Sequence, residues 1–369
     1  MRVGMNLMFM IPGDVGGSEI LLTNLASALC DLGVDLVIFG VRGFAAVHPR
    51  LASRAEVIEM PWSKGAQGPR IIAETLWLDG AARRRKIDLL HHGGGTSPLL
   101  GRVPSVFTLH DAQYVHYPQN FRRLKRTWLR FIVPRSLDKA DRVSVPSEWV
   151  SNDIVRVFNI ETSRVDVVPF GSENLFGDDP SSPYEVRSKY RLDKPFFIFP
   201  GRTYPHKNHR FLIEAFAPIA DAADLVLTGA PWPRDADIQT AVRSLGITDS
   251  VRQLSLVPRR DLAGLYQAAA GLVYPTRFEG FGAPILEAMS MGCPVMASNI
   301  TCIPEIVGEA GILLDPDDKA SWTEIMDRLL TDTEFATNLS SLGKTRALDF
   351  TWERSARLQF DGYLKALDR

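Results

Sequence analysis

Short apolar runs of strand length recur along this 369-residue chain, and helical patterns separate most of them. In the first half they fall at residues 3–8, 34–39, 57–60, 88–91, 105–109, 142–145 and 165–168. In the second half they fall at 195–200, 224–228, 251–256, 271–274, 295–298 and 311–314. Strands that alternate with helices close as βαβ units on a parallel sheet. The length exceeds what one ordinary core holds and suits two such domains. The expected fold class is therefore α/β, with two Rossmann-like doubly wound domains. The Gly-, Pro-, Ser- and Asp-rich stretch GSENLFGDDPSSP, residues 171–183, marks the boundary between them. This divides the chain into residues 1–174, 184–350 and a last helical segment, 351–369.

Several function classes drop out. No apolar run approaches 18 residues, so no transmembrane helix is expected. MRVGMNLMFM enters directly as a strand and carries no signal-peptide pattern. Cys30, Cys293 and Cys302 lack metal-ligand spacing and read as reduced thiols of a cytoplasmic chain. The seven histidines form no HExxH or similar cluster. The turn Gly16-Gly17-Ser18-Glu19 is not GxGxxG, and Gly93-Gly94-Gly95 lacks the third glycine and a following helix. That speaks against a nicotinamide-dependent dehydrogenase. A pI near 6.7 and the lack of a known motif speak against nucleic acid. Residues 1–170 hold 21 Lys and Arg against 16 Asp and Glu, leaving 21 and 27 in the remainder. The basic half points to an anionic partner, or the charges are scattered between two domains.

Four places carry candidate chemistry. The first is Arg277–Val295, RFEGFGAPILEAMSMGCPV, with Glu279 and Glu287 eight residues apart and Gly280, Gly282 and Pro284 between them. A strand, a Gly-rich turn, a Pro at the first helical position and an apolar helix let backbone N–H groups face an anion. The second is GRTYPHKN, where Arg202 and Lys207 flank the turn that opens a helix and together make a diphosphate clamp. The third is His110-Asp111 at the carboxyl end of a strand, where α/β sheets bind ligands. Asp14, His91, His92 and His116 are weaker candidates for that edge, and Gly16 and Gly17 allow backbone to approach a phosphate or sugar, or simply make a tight turn capped by Ser18. The fourth is residues 121–137, FRRLKRTWLRFIVPRSL. Arg122, Arg123, Lys125, Arg126 and Arg130 are interleaved with Phe121, Leu124, Trp128, Leu129 and Ile132. Such a helix either rests on an anionic membrane or packs on its own sheet.

GGSE, His110-Asp111, GRTYPHKN, EGFGAPILE and Trp352 before a last helix occur in this order. Together they resemble the retaining glycosyltransferases of the GT-B fold, specifically glycosyltransferase family four, over nearly the whole chain. The resemblance implies two domains facing across a cleft, the N-terminal one for the acceptor and the C-terminal one for the nucleotide sugar. It also implies a last helix that crosses back onto the N-terminal domain. Arg202 and Lys207 would bind the donor diphosphate, Glu287 the ribose hydroxyls and Glu279 the hexose. Gly280, Phe281, Gly282 and Ala283 would add donor contacts, largely through backbone, and the loop of Val257 would read the base. Gly16 and Gly17 would face the phosphate, His110 the transferred sugar, and Ser18 and Asp111 the acceptor side. No cofactor is implied beyond the donor as substrate, and no metal.

The chemistry suits those roles. Fixed cations offset charge growing on a departing nucleoside diphosphate, and carboxylates accept hydroxyl pairs. A covalent route would need a second carboxyl near the anomeric carbon. None is evident, which favours same-face attack over Glu279 as nucleophile. The expected activity is hexosyl transfer, GDP-mannose favoured, to a glycan or lipid-linked glycan of a bacterial surface polysaccharide. A nucleotide-sugar epimerase of the same fold and a non-catalytic glycan-binding relative are the alternatives. The expected location is cytoplasmic, with peripheral membrane contact through 121–137 as one option. Oligomeric state is left open.

Overall fold

The apolar runs of the first half become seven parallel strands: β1 (Arg2–Asn6), β2 (Asp35–Val41), β3 (Glu56–Met60), β4 (Leu89–His92), β5 (Ser105–Thr108), β6 (Arg142–Val145) and β7 (Val165–Val167). They lie in the order β3-β2-β1-β4-β5-β6-β7. Those of the second half become β8 (Phe196–Pro200), β9 (Asp224–Thr228), β10 (Val251–Leu254), β11 (Gly271–Tyr274), β12 (Val295–Ser298) and β13 (Ile312–Leu314), ordered β10-β9-β8-β11-β12-β13. The computed structural model describes residues 1–11, 17–61, 67–229 and 235–368. Parallel strands are covered on both faces, which is why they read as continuous apolar runs rather than alternating ones. Leu36 to Phe39 and Phe196 to Phe199 are almost wholly buried.

The chain divides into two units, Met1–Gly171 with Thr351–Arg369, and Ser172–Phe350. The segment Ser172–Pro183 packs on the second unit. Arg259 lies 4.5 Å over the Phe176 ring, and Ser181 donates to Asp261 at 2.7 Å. The C-terminal helix Trp352–Leu367 packs on the first sheet. Its Tyr363 hydroxyl meets His91 Nδ1 at 2.6 Å, and its Gln359 accepts from Ser144 at 2.9 Å. His91 is completed by Thr108 at 2.6 Å and has no solvent exposure. It is therefore a core residue and not part of the sheet edge. It lies mid-strand, and successive side chains alternate faces.

Each strand order reverses at one place, between β1 and β4 in the first sheet and between β8 and β11 in the second. Loops on either side of such a reversal diverge to opposite faces and leave a crevice at the carboxyl ends. Among the described residues no helix is long and apolar enough to cross a membrane.

Candidate active site

In the second unit, register decides what meets. Phe197 of β8 lies opposite Gly271 of β11. The loops that follow these strands, 201–208 and 275–282, therefore start side by side. The Arg277 N–H donates to the His206 carbonyl at 2.7 Å and joins them. Lys207 Nζ then lies 2.6 Å from Glu279 Oε1 and 3.0 Å from the Tyr274 hydroxyl. Tyr274 donates to the same Glu279 oxygen at 3.0 Å. Burial, and secondarily the Glu279 charge, push the Tyr274 hydroxyl far up, so it remains a donor. Lys207 and Glu279 keep 14% and 13% of their side-chain surface exposed, enough for a ligand to reach the pair. Arg202 is exposed, and its guanidinium makes no ion pair with a described residue.

Glu287 belongs to the helix Ala283–Ser290. Gly282 starts that helix at φ 85°, a left-handed backbone that favours glycine. Ala283 is the first helical residue, so Pro284 stands at the second position and not the first. Arg259 donates to Glu287 Oε1 at 2.9 Å, and the Tyr266 hydroxyl to Oε2 at 3.1 Å. Arg259 and Tyr266 are seven residues apart on the helix Arg259–Ala268, hence on one face. A carboxylate has about four acceptor positions, so Glu287 retains capacity for ligand hydroxyls. Gly280 and Phe281 are buried, the Phe281 ring meeting Phe350 edge-on at 6.1 Å. Ala283 and Val257 are half-buried.

In the first unit, His110 follows β5, and its Nε2 lies 3.2 Å from the Gly93 carbonyl beyond β4. Burial lowers its pKa and the Gly93 bond opposes this only in part, which favours the neutral ring. Asp111 accepts from the Gln113 N–H at 2.8 Å. Gly17 begins the helix Gly17–Asp31, so Ser18 sits inside its first turn rather than at its cap. Gly16 and Asp14 lie outside the described residues. Gly93 and Gly94 pack against Leu22 and Phe9 so closely that a Cβ would come within 2.6 and 2.7 Å of them. His92 lies opposite Asn6 across β1 and β4, and the amide of Asn6 reaches both His92 Nδ1 at 3.3 Å and Glu74 Oε1 at 3.1 Å. Burial raises the Glu74 carboxyl and pushes His92 down to about 4. His116 pairs with Asp153 at 2.8 Å, away from these groups in bonding.

The basic segment is the helix Arg123–Lys139. Leu129, Ile132, Val133 and Leu137 pack into the core of the first unit. Leu124 is 88% exposed and does not join the apolar stripe assigned to it, because the packed residues occupy a different phase of the helix. Trp128 lines a cavity of about 1110 Å³, with Ser18, His110 and Asp111 elsewhere in its wall.

The structure thus brings Lys207 to Glu279, gives Glu287 separate partners, and gathers Ser18, His110 and Asp111 around one cavity. Tyr274, Arg259, Tyr266, Asn6 and Glu74 were not singled out from the sequence. Tyr274 carries one local signal, a polar tip at the carboxyl end of a strand. Arg259 and Tyr266 carry only their seven-residue spacing. Among the described residues no group of three His, Cys, Asp or Glu is placed to hold a metal ion.

Comparison with known proteins gives the family. The model of the group 1 glycosyl transferases matches residues 194–332, and that of glycosyltransferase family 4 matches residues 15–172. O-antigen chain mannosyltransferase B of Escherichia coli is 31% identical over 284 residues, covering 75% of this chain and 74% of that protein. The O-antigen chain mannosyltransferase RfbU of Salmonella typhimurium is 29% identical over 232 residues, 63% and 61% of the two chains. Sucrose-phosphate synthase of Thermosynechococcus elongatus superposes with a TM-score of 0.77 at 20% identity, covering 100% and 99%. With two parallel sheets, each reversing beside its candidate residues, the chain is a hexosyltransferase of the GT-B fold and belongs to glycosyltransferase family 4.

Proposed function

We propose that the enzyme transfers mannose from GDP-mannose, with retention, to a glycan or lipid-linked glycan in bacterial surface polysaccharide synthesis. The observation that carries this reading is the Lys207–Glu279–Tyr274 cluster at the β8/β11 reversal, with Glu287 held separately by Arg259 and Tyr266. The choice of mannose rests on the two mannosyltransferase relatives.

In this reading the second unit binds the donor and the first the acceptor. Lys207 has three N–H donors, of which Glu279 and Tyr274 take two, leaving one for a phosphate oxygen. Exposed Arg202 adds a second cation. Both offset charge on the departing diphosphate, and no metal is called for. Glu279 then faces the hexose and Glu287 the ribose. Gly16, Gly17 and the backbone of residues 280–283 complete the donor contacts, and the Val257 loop reads the base. The acceptor hydroxyl attacks the face the diphosphate leaves, and the leaving phosphate takes its proton. In neutral His110 the Nε2 proton goes to the Gly93 carbonyl, so Nδ1 is left to accept one hydrogen bond from a hydroxyl of the transferred sugar. The donor supply places the enzyme on the cytoplasmic side, with the helix Arg123–Lys139 near an anionic membrane.

The test is a thermal-shift titration with GDP, UDP and dTDP, followed by product analysis with GDP-mannose. Stabilisation by GDP and an α-linked product support the reading. Preference for UDP rejects the donor, and an inverted product rejects retention.

A further inference from the structure

At its strand-order reversal the first unit keeps a buried polar cluster that the proposed reaction does not use. Asn6 ends β1 and His92 ends β4, opposite each other in register, and Glu74 reaches them from the helix Gln67–Leu76. All three side chains are buried. A buried carboxyl and a buried imidazole each cost free energy unless hydrogen bonds meet them. Here one amide meets both. Asn6 Oδ1 accepts from the Met8 N–H at 3.2 Å, which sets the way the amide points. Its Nδ2 therefore donates twice, to Glu74 Oε1 at 3.1 Å and to His92 Nδ1 at 3.3 Å. An accepting Nδ1 carries no proton, so His92 is neutral with its proton on Nε2. Burial, which pushes His92 down to about 4, agrees with this. Arg70, 3.8 Å from Glu74 Oε2, completes the cluster.

From this cluster the chain runs directly to the partner of His110. Gly93 follows His92, and its N–H donates to the Asn6 carbonyl at 3.4 Å. A Cβ on Gly93 would come within 2.6 Å of Leu22, so the backbone there is pressed against the helix Gly17–Asp31. The Gly93 carbonyl accepts from His110 Nε2 at 3.2 Å. We infer that Asn6, Glu74 and His92 are positioning residues for His110: they hold the Gly93 carbonyl where it takes the Nε2 proton, which keeps Nδ1 the accepting atom. Without that carbonyl the proton can sit on either nitrogen, and a protonated Nδ1 cannot accept from a sugar hydroxyl. This rests on the glycosyltransferase reading in which His110 meets the transferred sugar, and it adds the residues that set the tautomer.

The test combines nitrogen-15 imidazole spectra of the full chain at pH 7.5, transfer kinetics with GDP-mannose and calorimetry with GDP. In the wild type, His92 and His110 should both carry their proton on Nε2. Asn6→Ala should give His110 a mixture of tautomers and lower kcat about tenfold or more, with GDP affinity unchanged. Glu74→Leu should act in the same direction. Glu74→Gln keeps an acceptor for the Asn6 amide and should retain the wild-type spectrum and most of kcat. A merely structural role would lower the melting temperature of Asn6→Ala and Glu74→Leu without moving the His110 tautomer, and that result overturns the inference. So does a wild-type His92 or His110 protonated on Nδ1, which needs no variant to fold. Glu74→Gln failing as completely as Glu74→Leu overturns it as well. Failure of GDP to bind would instead sink the donor reading, and the spectra decide the positioning claim in either case.

Discussion

At the carboxyl ends of β8 and β11 one of the two cations, Lys207, is already held, while Arg202 beside it stays exposed. Lys207 is fixed by Glu279 and Tyr274, and close by Arg259 is fixed by Glu287. Around the cavity of the first unit Arg122, Arg123 and Lys125 stand in solvent without a described carboxylate partner. Pairing limits the freedom of a side chain before a ligand arrives, and partial burial strengthens what it then does. Exposed cations contribute little to folding individually, but they attract an anion over a Debye length and lose that attraction in salt. The contrast separates a site shaped for one small donor from a surface that gathers a larger anionic partner.

The largest effect should come from Lys207→Met. It is expected to lower kcat by about a hundredfold or more, the usual consequence of losing one group that stabilises transition-state charge. Steady-state assays with a melting-temperature control check this, and near-normal kcat would break the donor side of the comparison. Arg259→Ala should come next. It leaves Glu287 with Tyr266 alone and should destabilise the chain by about 1–3 kcal/mol, since Arg259 is itself 23% exposed. Denaturant unfolding reads the stability, and donor KM should rise with it.

Acid should separate the two units. Burial pushes His91 and His206 down to about 3 and His92 to about 4. Below their ordinary value of 6.5 the unfolded chain binds protons that the folded rings refuse. Their stability is thus complete above pH 6.5 and is lost as pH falls to about 4 for His92 and to about 3 for His91 and His206. Each costs about 1.4 kcal/mol per pH unit in that window. The first unit holds two of them and the second one. Amide exchange at pH 7.5 and 5 should therefore show protection falling faster around β4 than around β8.

Tyr274→Phe removes one hydroxyl from the Lys207–Glu279 pair and should cost about 1 kcal/mol, a several-fold loss in kcat/KM. The smallest effect should be on folding when Arg122, Arg123 and Lys125 are changed together. The unfolding free energy should move by less than about 1 kcal/mol, while affinity for anionic ligands falls and its salt dependence flattens.

The strands and both sheets were legible because buried parallel strands are apolar runs, a purely local pattern. Lys207, Glu279 and Glu287 stood out because short motifs carried them on turns and a helix start. His91 was misread, since a histidine at the end of an apolar run gives no sign that Tyr363, 272 residues later, will close over it. Leu124 was misread because an interleaved helix does not announce which phase packs. The partners of the acidic pair, and the cationic cavity, were not legible at all. The cavity walls come from several separate stretches of the chain, and Tyr274 reaches Lys207 only through the register of β8 on β11. The sequence alone determined the elements, their alternation and the charged residues at the turns, because those depend on neighbours a few positions away. The tertiary structure alone decided which charges are neutralised and which stay open, because that depends on side chains far apart in sequence meeting at a few ångströms.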